Sequence, residues 1–397
     1  MIPSQSASAP LAVAEWAHDS RPTALQEMLA LVSMPGILSF ALGLPAAELF
    51  PADAFMQATA TVVANDRRAF QYGPPSEALK EHIVVLMKQR GVACRKEQVF
   101  ITTGAQQGMN LLTRLLLNTH GTVLLEDKIY SGILQAIEPC QPIILTVPTS
   151  AETGMDVDSV AALLQRQPPP AFIYAISDGH NPLGISLSQE KRQQLVELAR
   201  RYHVPIIEDD AYGLLWYDHV ATPPMRALDE DWVCYLGSFS KILAPALRVG
   251  WLLVPESLMA SLAILKEASD INTATLTQRA IAAYLEMDHL THHLVQLRQT
   301  YQARRDTMVR MLRSFFPPGT RWYTPNNGMF IWVELPMDVD TAVLLKTAIE
   351  KEGIAFLPGH AFGINGDRSA AHCMRLNFSH CSVVEIEEGI KRLARLL

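Results

Sequence analysis

The stretch GSFSKILAPALRVGW (237–251) places Lys241 beside two hydroxyls, Ser238 and Ser240, with Arg248 seven residues further on. Two hydroxyls and a guanidinium fork suit a phosphate dianion. A lysine held near positive charge has a lowered amine pKa and can act as a Schiff-base nucleophile. A solvated loop lysine reads the same way. Upstream, VPIIEDDAYG (204–213) runs an apolar strand into Glu208, Asp209 and Asp210, with Tyr212 close behind. A carboxylate at the end of a buried strand is costly unless it meets a cation or a proton donor, although an N-cap or a surface ion pair would also account for it. Three further strand ends carry polar groups. ITTGAQQGMNLL (101–112) offers Gly104 and the amides of Ala105 and Gln106 at a helix start, where a phosphate can bind. LLEDKIYSG (124–132) puts the Tyr130 ring just past a strand, placed to stack on a flat ligand or to pack on a loop. SDGHNPLGIS (177–186) puts Asn181 in an Asn-Pro turn, its amide free to donate to an anionic oxygen.

The elements that would position these groups alternate along the chain. Apolar strand candidates lie at 98–103, 122–127, 143–147, 171–177, 204–209, 233–238 and 249–254, with amphipathic helical patterns between most of them. That pattern predicts a mostly parallel sheet covered on both faces, with ligands bound outside the carboxyl ends of the strands. After about residue 273 the texture changes. A long helical segment runs to SFF at 314–316, MFIWVEL and MRLNFS follow as strands, and a terminal helix closes the chain, as in a smaller α/β domain.

The bulk numbers set limits. The 397 residues are 49% hydrophobic and 18% charged, enough for a two-domain chain with a sizeable core. The 33 basic residues are outnumbered by 40 acidic ones, for a net charge of −7, which disfavours nucleic acid and anionic membranes as partners. No apolar run reaches membrane-spanning length. The first 20 or so residues, rich in Ala, Ser and Pro, are expected to form an arm and do not read as a secretory signal. The five cysteines lack metal-ligand spacing and read as reduced thiols in a cytoplasmic protein.

In their order, Gly-Ala-Gln, the ring at Tyr130, Asn-Pro-x-Gly, Asp-x-Ala-Tyr, and Ser-x-Ser-Lys followed by an arginine resemble the fold-type I pyridoxal-phosphate enzymes, and more narrowly the class I/II aminotransferases. The likeness runs from ILSFALGLP (37–45) to MRLNFS (374–379). FQYGPP, EDDAYG, SFSKILAPALRVGW and NGMFIWVELP look like the group that holds 2-aminoadipate and aromatic aminotransferases and the aminotransferase-like domain of MocR regulators. The resemblance implies a large domain with a mostly parallel seven-stranded sheet between helices (51–285), a small α/β domain (286–397), and a segment 1–50 shared between the arm and the small domain. It implies pyridoxal 5'-phosphate as cofactor, held by Lys241 as an imine, with Asp209 on the ring nitrogen, Tyr212 and Asn181 on the phenolic oxygen, and Tyr130 stacked on the ring. Gly104, Ala105, Gln106, Ser238, Ser240 and Arg248 would hold the phosphate, with Tyr72 reaching it across a homodimer interface. Arg375 would bind the α-carboxylate of an amino acid or 2-oxo acid, with Asn181 and the Gly43 backbone close by. Catalysis would fall to Lys241, Asp209 and Tyr212. The chain departs from the family pattern at Lys128, Ala105, Asp178, His180 and Asn327, which leaves other outcomes on the same cofactor open: decarboxylation, elimination, oxidation or cyclisation. A non-catalytic MocR-like effector domain is disfavoured, because about 36 residues before ILSFALGLP are too few for a DNA-binding winged helix.

Overall fold

The computed structural model describes residues 14–18, 36–218 and 222–397. Apart from a helical turn at Glu15–His18, the expected arm lies outside the described residues. Each of the seven apolar runs forms a strand: β1 Val99–Thr102, β2 Thr122–Glu126, β3 Ile143–Val147, β4 Ile173–Ala175, β5 Ile206–Asp209, β6 Val233–Ser238 and β7 Gly250–Leu253. They form one sheet in the order β1-β7-β6-β5-β4-β2-β3, parallel except for β7, which runs against both of its neighbours.

Strand alternation sorts the side chains to two faces. Tyr174, Ile207, Cys234 and Leu236 pack with Met109 and Leu112 of helix α1 (Ala105–Leu116). Ile173, Ala175, Ile206 and Val233 pack on the opposite face with Leu195 and Val196 of α2 (Gln189–Tyr202). The helix α2 begins at Ser188, whose side chain accepts from the Lys191 amide, and ends at His203 in the left-handed region. Burial on both faces is why these strands are continuously apolar rather than alternating.

The antiparallel return of β7 shapes the site. Gly250 pairs with Ser238 on one side and with Thr102 on the other. Residues 239–249 therefore loop out at the carboxyl end of β6 and bring Arg248 back beside the turn that follows β1. Lys241 and Arg248 flank one loop because that loop joins β6 to β7.

The helical stretch after residue 273 is not continuous. Following α3 (Glu256–Asp270), it divides into α4 (Thr275–Glu286) and α5 (His289–Phe315), with Asp288 between them at φ +53°. A left-handed residue cannot continue a right-handed helix, so the axis breaks there. The second sheet is antiparallel, in the order β8 (Arg321–Trp322), β9 (Phe330–Glu334), β11 (Cys373–Asn377), β10 (Leu357–Pro358). In β11, Arg375 lies opposite Trp332 and Leu357. Helix α6 (Val383–Ala394) opens with a Ser382–Glu385 capping box. Leu38–Ser39 pairs in parallel with Ile354–Ala355, so the stretch before Gly43 is tied to the C-terminal part of the chain.

Candidate active site

A cleft of about 350 Å³ opens at the carboxyl ends of β4, β5 and β6 and is closed on the far side by Phe330, Leu357 and Arg375. Most of the polar residues singled out from the sequence line it: Gly43, Ala105, Gln106, Tyr130, Asn181, Asp209, Tyr212, Ser238, Ser240, Lys241, Arg248 and Arg375.

The three consecutive acids after Ile207 part company through strand alternation. Glu208 faces away from the cleft and accepts from Ser177 Oγ (2.7 Å) and from the amides of Met225 (2.7 Å) and Arg226 (2.9 Å). Burial, with Asp210 nearby, pushes its carboxyl up to about 7. Asp210 accepts from Arg90 Nη2 (3.0 Å) and Tyr235 Oη (2.9 Å). Asp209 alone enters the cleft. Its Oδ2 accepts from the Tyr174 hydroxyl at 2.6 Å, while its Oδ1 is buried without a partner. Burial pushes Asp209 up to about 6; Tyr174 pulls it down and Asp210 adds to the rise.

Lys241 is half-buried, and its Nζ donates to Gly43 O at 2.7 Å. Burial, then Arg375 and Arg248, bring its amine down to about 8 against the opposing pull of Asp209. Arg375 is 4% exposed. Its Nη1 donates to Asn181 Oδ1 (2.7 Å) and its Nη2 to Ala41 O (2.5 Å), while Nε has no partner. The guanidinium lies 4.1 Å from the Phe330 ring centre and 4.9 Å from that of Phe362. Burial lowers Arg375 to about 10.

At the opposite end, Gly104 has φ +79° and caps α1. A Cβ at this position would meet Arg248 Nη2 at 2.5 Å, so the glycine admits the arginine to the helix start. Ser238 Oγ accepts from the Ser240 amide at 3.1 Å. Tyr130 Oη donates to Gln106 Oε1 at 3.3 Å, and burial raises the phenol. Tyr212, also raised by burial, stands edge-on to Phe330 with ring centres 5.8 Å apart.

Tyr72 is absent from this cleft. It is 72% exposed, in the segment before the helix Glu77–Gln89. Of the departures from the family pattern, Ala105 lines the cleft, and the other four lie outside its lining. Lys128 pairs with Asp127 (3.0 Å). Asp178 is buried between Arg90 and Arg192 (2.7 Å to each); burial would raise its carboxyl, but the two guanidiniums hold it below the usual carboxylate range. His180 donates from Nε2 to Glu126 Oε2 at 3.0 Å and accepts on Nδ1 from the Leu183 amide at 3.4 Å. Both ring nitrogens are used in holding the Asn181–Pro182 turn, whose peptide is cis. Asn327 Oδ1 accepts from Ser186 Oγ (2.9 Å) and lies against Gly179. Three contributors were not foreseen from the sequence: the Tyr174 hydroxyl, the Ala41 carbonyl, and the two phenyl rings beside Arg375. They are brought in by pairing and packing between distant segments, which local patterns do not report.

The unpartnered Asp209 oxygen, the lysine across the cleft and the anion-ready turn at Gly104 fit a pyridine ring bearing an aldehyde and a phosphate. Together with the sheet they define a fold-type I enzyme dependent on pyridoxal phosphate. The chain belongs to the aminotransferases of class I and II, whose family model matches residues 37–393. It is a pyridoxal-phosphate-dependent aminotransferase. It is 34% identical to the aromatic-amino-acid aminotransferase 1 of Thermococcus litoralis, over 96% of this chain and 93% of that one. It is equally 34% identical to the 2-aminoadipate transaminase of Thermus thermophilus, over 94% and 93%. The solved kynurenine aminotransferase of Pyrococcus horikoshii, in complex with PMP, superposes with a TM-score of 0.90 at 34% identity, covering 97% of this chain and 96% of that chain.

Proposed function

We propose that the chain moves the amino group of an L-amino acid with an apolar side chain to a 2-oxo acid, working as a cytoplasmic homodimer. The observation that carries this reading is Arg375 across the cleft from Lys241, with apolar walls between them formed by Leu42, Leu44, Leu357 and Phe362. Pyridoxal phosphate, when bound, supplies an aldehyde that condenses with amines and a ring that takes up electron density from the substrate Cα. The residues do the rest. Arg375 clamps the α-carboxylate with its charged fork and so fixes which Cα bond faces Lys241. Lys241 Nζ, half neutral near pH 8, would take the Cα proton and carry it as the cleft's base. Asp209 Oδ1, unpartnered, would receive the ring nitrogen. Asn181 Nδ2, left free because its Oδ1 is used by Arg375, would donate with Tyr212 Oη to the phenolic oxygen. Tyr130 would cover the ring. The Ala105 and Gln106 amides with Gly104, the Ser238 and Ser240 hydroxyls and Arg248 would hold the phosphate.

Amino-acid panels with purified holoenzyme test the reading. Leucine- or phenylalanine-type donors are expected to give the matching 2-oxo acid without carbon dioxide release or oxygen uptake. Gas release or oxygen consumption in step with turnover would assign another outcome on the same cofactor.

The lowered amine of Lys241 gives a pH prediction. Only the neutral amine attacks an aldehyde, so capture of pyridoxal phosphate by the apo chain rises with pH, is half-maximal near 8 and levels off above it. Stopped-flow absorbance measures this. A rate still climbing towards 10.5, the ordinary lysine value, would show that burial and the two arginines do not act on it.

The dimer reading is supported by Met56 (63% exposed), Phe70 (67%) and Tyr72 (72%), large apolar side chains open to solvent over one short stretch. Tyr72 would then reach the phosphate across the interface. Light scattering on Tyr72→Phe and wild type is expected to give a dimer in both, with weaker cofactor binding in the variant. A fully active monomer would contradict the shared site. A cytoplasmic setting is supported by the five free cysteines; thiol labelling of the protein from intact cells would show disulfides if the compartment were oxidising. The division into 51–285 and 286–397, with 1–50 split between arm and small domain, is supported by the separation of the two sheets. Limited proteolysis that cut inside either unit before the junction would contradict it.

A further inference from the structure

We infer that Tyr174 is a positioning residue for the reaction: its hydroxyl fixes one oxygen of Asp209 so that the other is presented to the ring nitrogen of the cofactor. This rests on the assignment of Asp209 to that nitrogen. The geometry follows from strand register. Tyr174 pairs with Ile207 across β4 and β5, so Asp209, two residues beyond Ile207, lies on the same face one step nearer the cleft. The phenol reaches Oδ2 at 2.6 Å, within the range of a strong hydrogen bond to a carboxylate. Tyr174 is fully buried in the α1-side core, and Asp209 is 5% exposed. Packing holds the ring, and the ring holds the acid.

Two consequences follow from that single contact. With Oδ2 occupied, the unpartnered Oδ1 is the acceptor left on a residue that lines the cleft. The phenol also donates only to a lone pair, so the bond favours the ionised acid. Burial and Asp210 push Asp209 the other way, towards a neutral form that could not pair with a protonated ring nitrogen. Besides Tyr174, the titratable groups facing Asp209 are Asp210 next to it, Lys241 from the 239–249 loop, Tyr130 from the turn after β2, and Tyr212. Of these, Lys241 donates to Gly43 and Tyr130 to Gln106, and Asp210 opposes ionisation. Tyr174 is the one of these side chains with a hydrogen bond to the carboxylate, and so the one that orients Asp209 before the cofactor arrives.

The test is a double-mutant cycle read as cofactor affinity. Wild type, Tyr174→Phe, Asp209→Asn and the double variant are titrated as apoproteins with pyridoxal phosphate, and the dissociation constant is taken from the absorbance of the bound form. Tyr174→Phe is expected to weaken binding roughly tenfold, the usual scale for one charge-assisted hydrogen bond. In the Asp209→Asn background the same change should have almost no effect, because there is no carboxylate left to hold. A Tyr174→Phe affinity within about twofold of wild type, or an equal loss in both backgrounds, would overturn the inference and leave Tyr174 a packing residue. Wild-type affinity in Asp209→Asn alone would instead remove the assignment of Asp209. If Tyr174→Phe does not fold, 3-fluorotyrosine at the same position keeps the shape and strengthens the donor. Tighter binding is then expected, and unchanged binding overturns the inference.

Discussion

Lys241→Ala is expected to lose at least about 10⁴-fold in kcat, the upper range for removing a positioned proton carrier, with the loss of the covalent hold on the cofactor added. The protein should remain folded. Among the described residues Lys241 Nζ hydrogen-bonds the Gly43 carbonyl, and the side chain lines an open cleft, so truncation breaks no hydrogen-bonded ion pair and opens no sealed cavity. Thermal melting should move by little, in contrast to the turnover. The phosphate end of the site, at Gly104, Ser238 and Arg248, is untouched, so the variant should still bind pyridoxal phosphate, more weakly and reversibly. Small primary amines added to the assay should restore part of the proton transfer, more for the more basic amines. A folded Lys241→Ala variant with turnover within tenfold of wild type would remove the lysine from the chemistry.

Arg375→Ala is expected to reduce kcat/KM for amino acids by about 10³-fold, about 4 kcal/mol, through both a higher KM and a lower kcat. The size follows from the setting. Arg375 is buried, flanked by two phenyl rings, and has an unpartnered Nε besides the two nitrogens engaged with Asn181 and Ala41. A carboxylate arriving there meets a cation already stripped of water, where a charge-assisted pair is strong. The substitution also leaves Asn181 Oδ1 and Ala41 O without donors, costing about 1–3 kcal/mol of stability for each group that stays buried. Activity with a primary amine lacking a carboxylate separates the two effects, because such a substrate never used the clamp and should lose little. Arg375→Lys restores charge without the fork and should recover only part of the loss. An equal penalty for amine and amino acid would show that Arg375 acts through structure alone.

Much of this was legible in the sequence because the relevant signals are local. Seven apolar runs became seven strands; the central ones, buried on both faces, need continuous hydrophobic sequence whatever their neighbours, while the edge strand Ile143–Val147 is partly exposed. The polar residues that close those strands converged because parallel strands present their carboxyl ends on one side. What stayed hidden depends on pairing between distant segments. The three acids at 208–210 look equivalent in sequence; only the pleat sends Asp209 to the cleft and its neighbours to Ser177 and Arg90. Tyr174 reads as one more apolar strand residue until register sets it one step from Asp209. The break at Asp288 lies inside a pattern that is helical on both sides, and no glycine or proline marks it. Tyr72 is the opposite case: its motif points to a phosphate, while a single chain leaves it in solvent.

One bond carries the whole scheme, the one the amine at 241 makes with the incoming aldehyde. Borohydride treatment of the protein loaded with pyridoxal phosphate, followed by peptide mass spectrometry, tests it most directly. A phosphopyridoxyl group on the peptide SFSKILAPALR, fixed at Lys241 by fragmentation, is the expected result. A label on Lys266 or Lys128 instead, or a holoprotein that carries none after reduction, would contradict it.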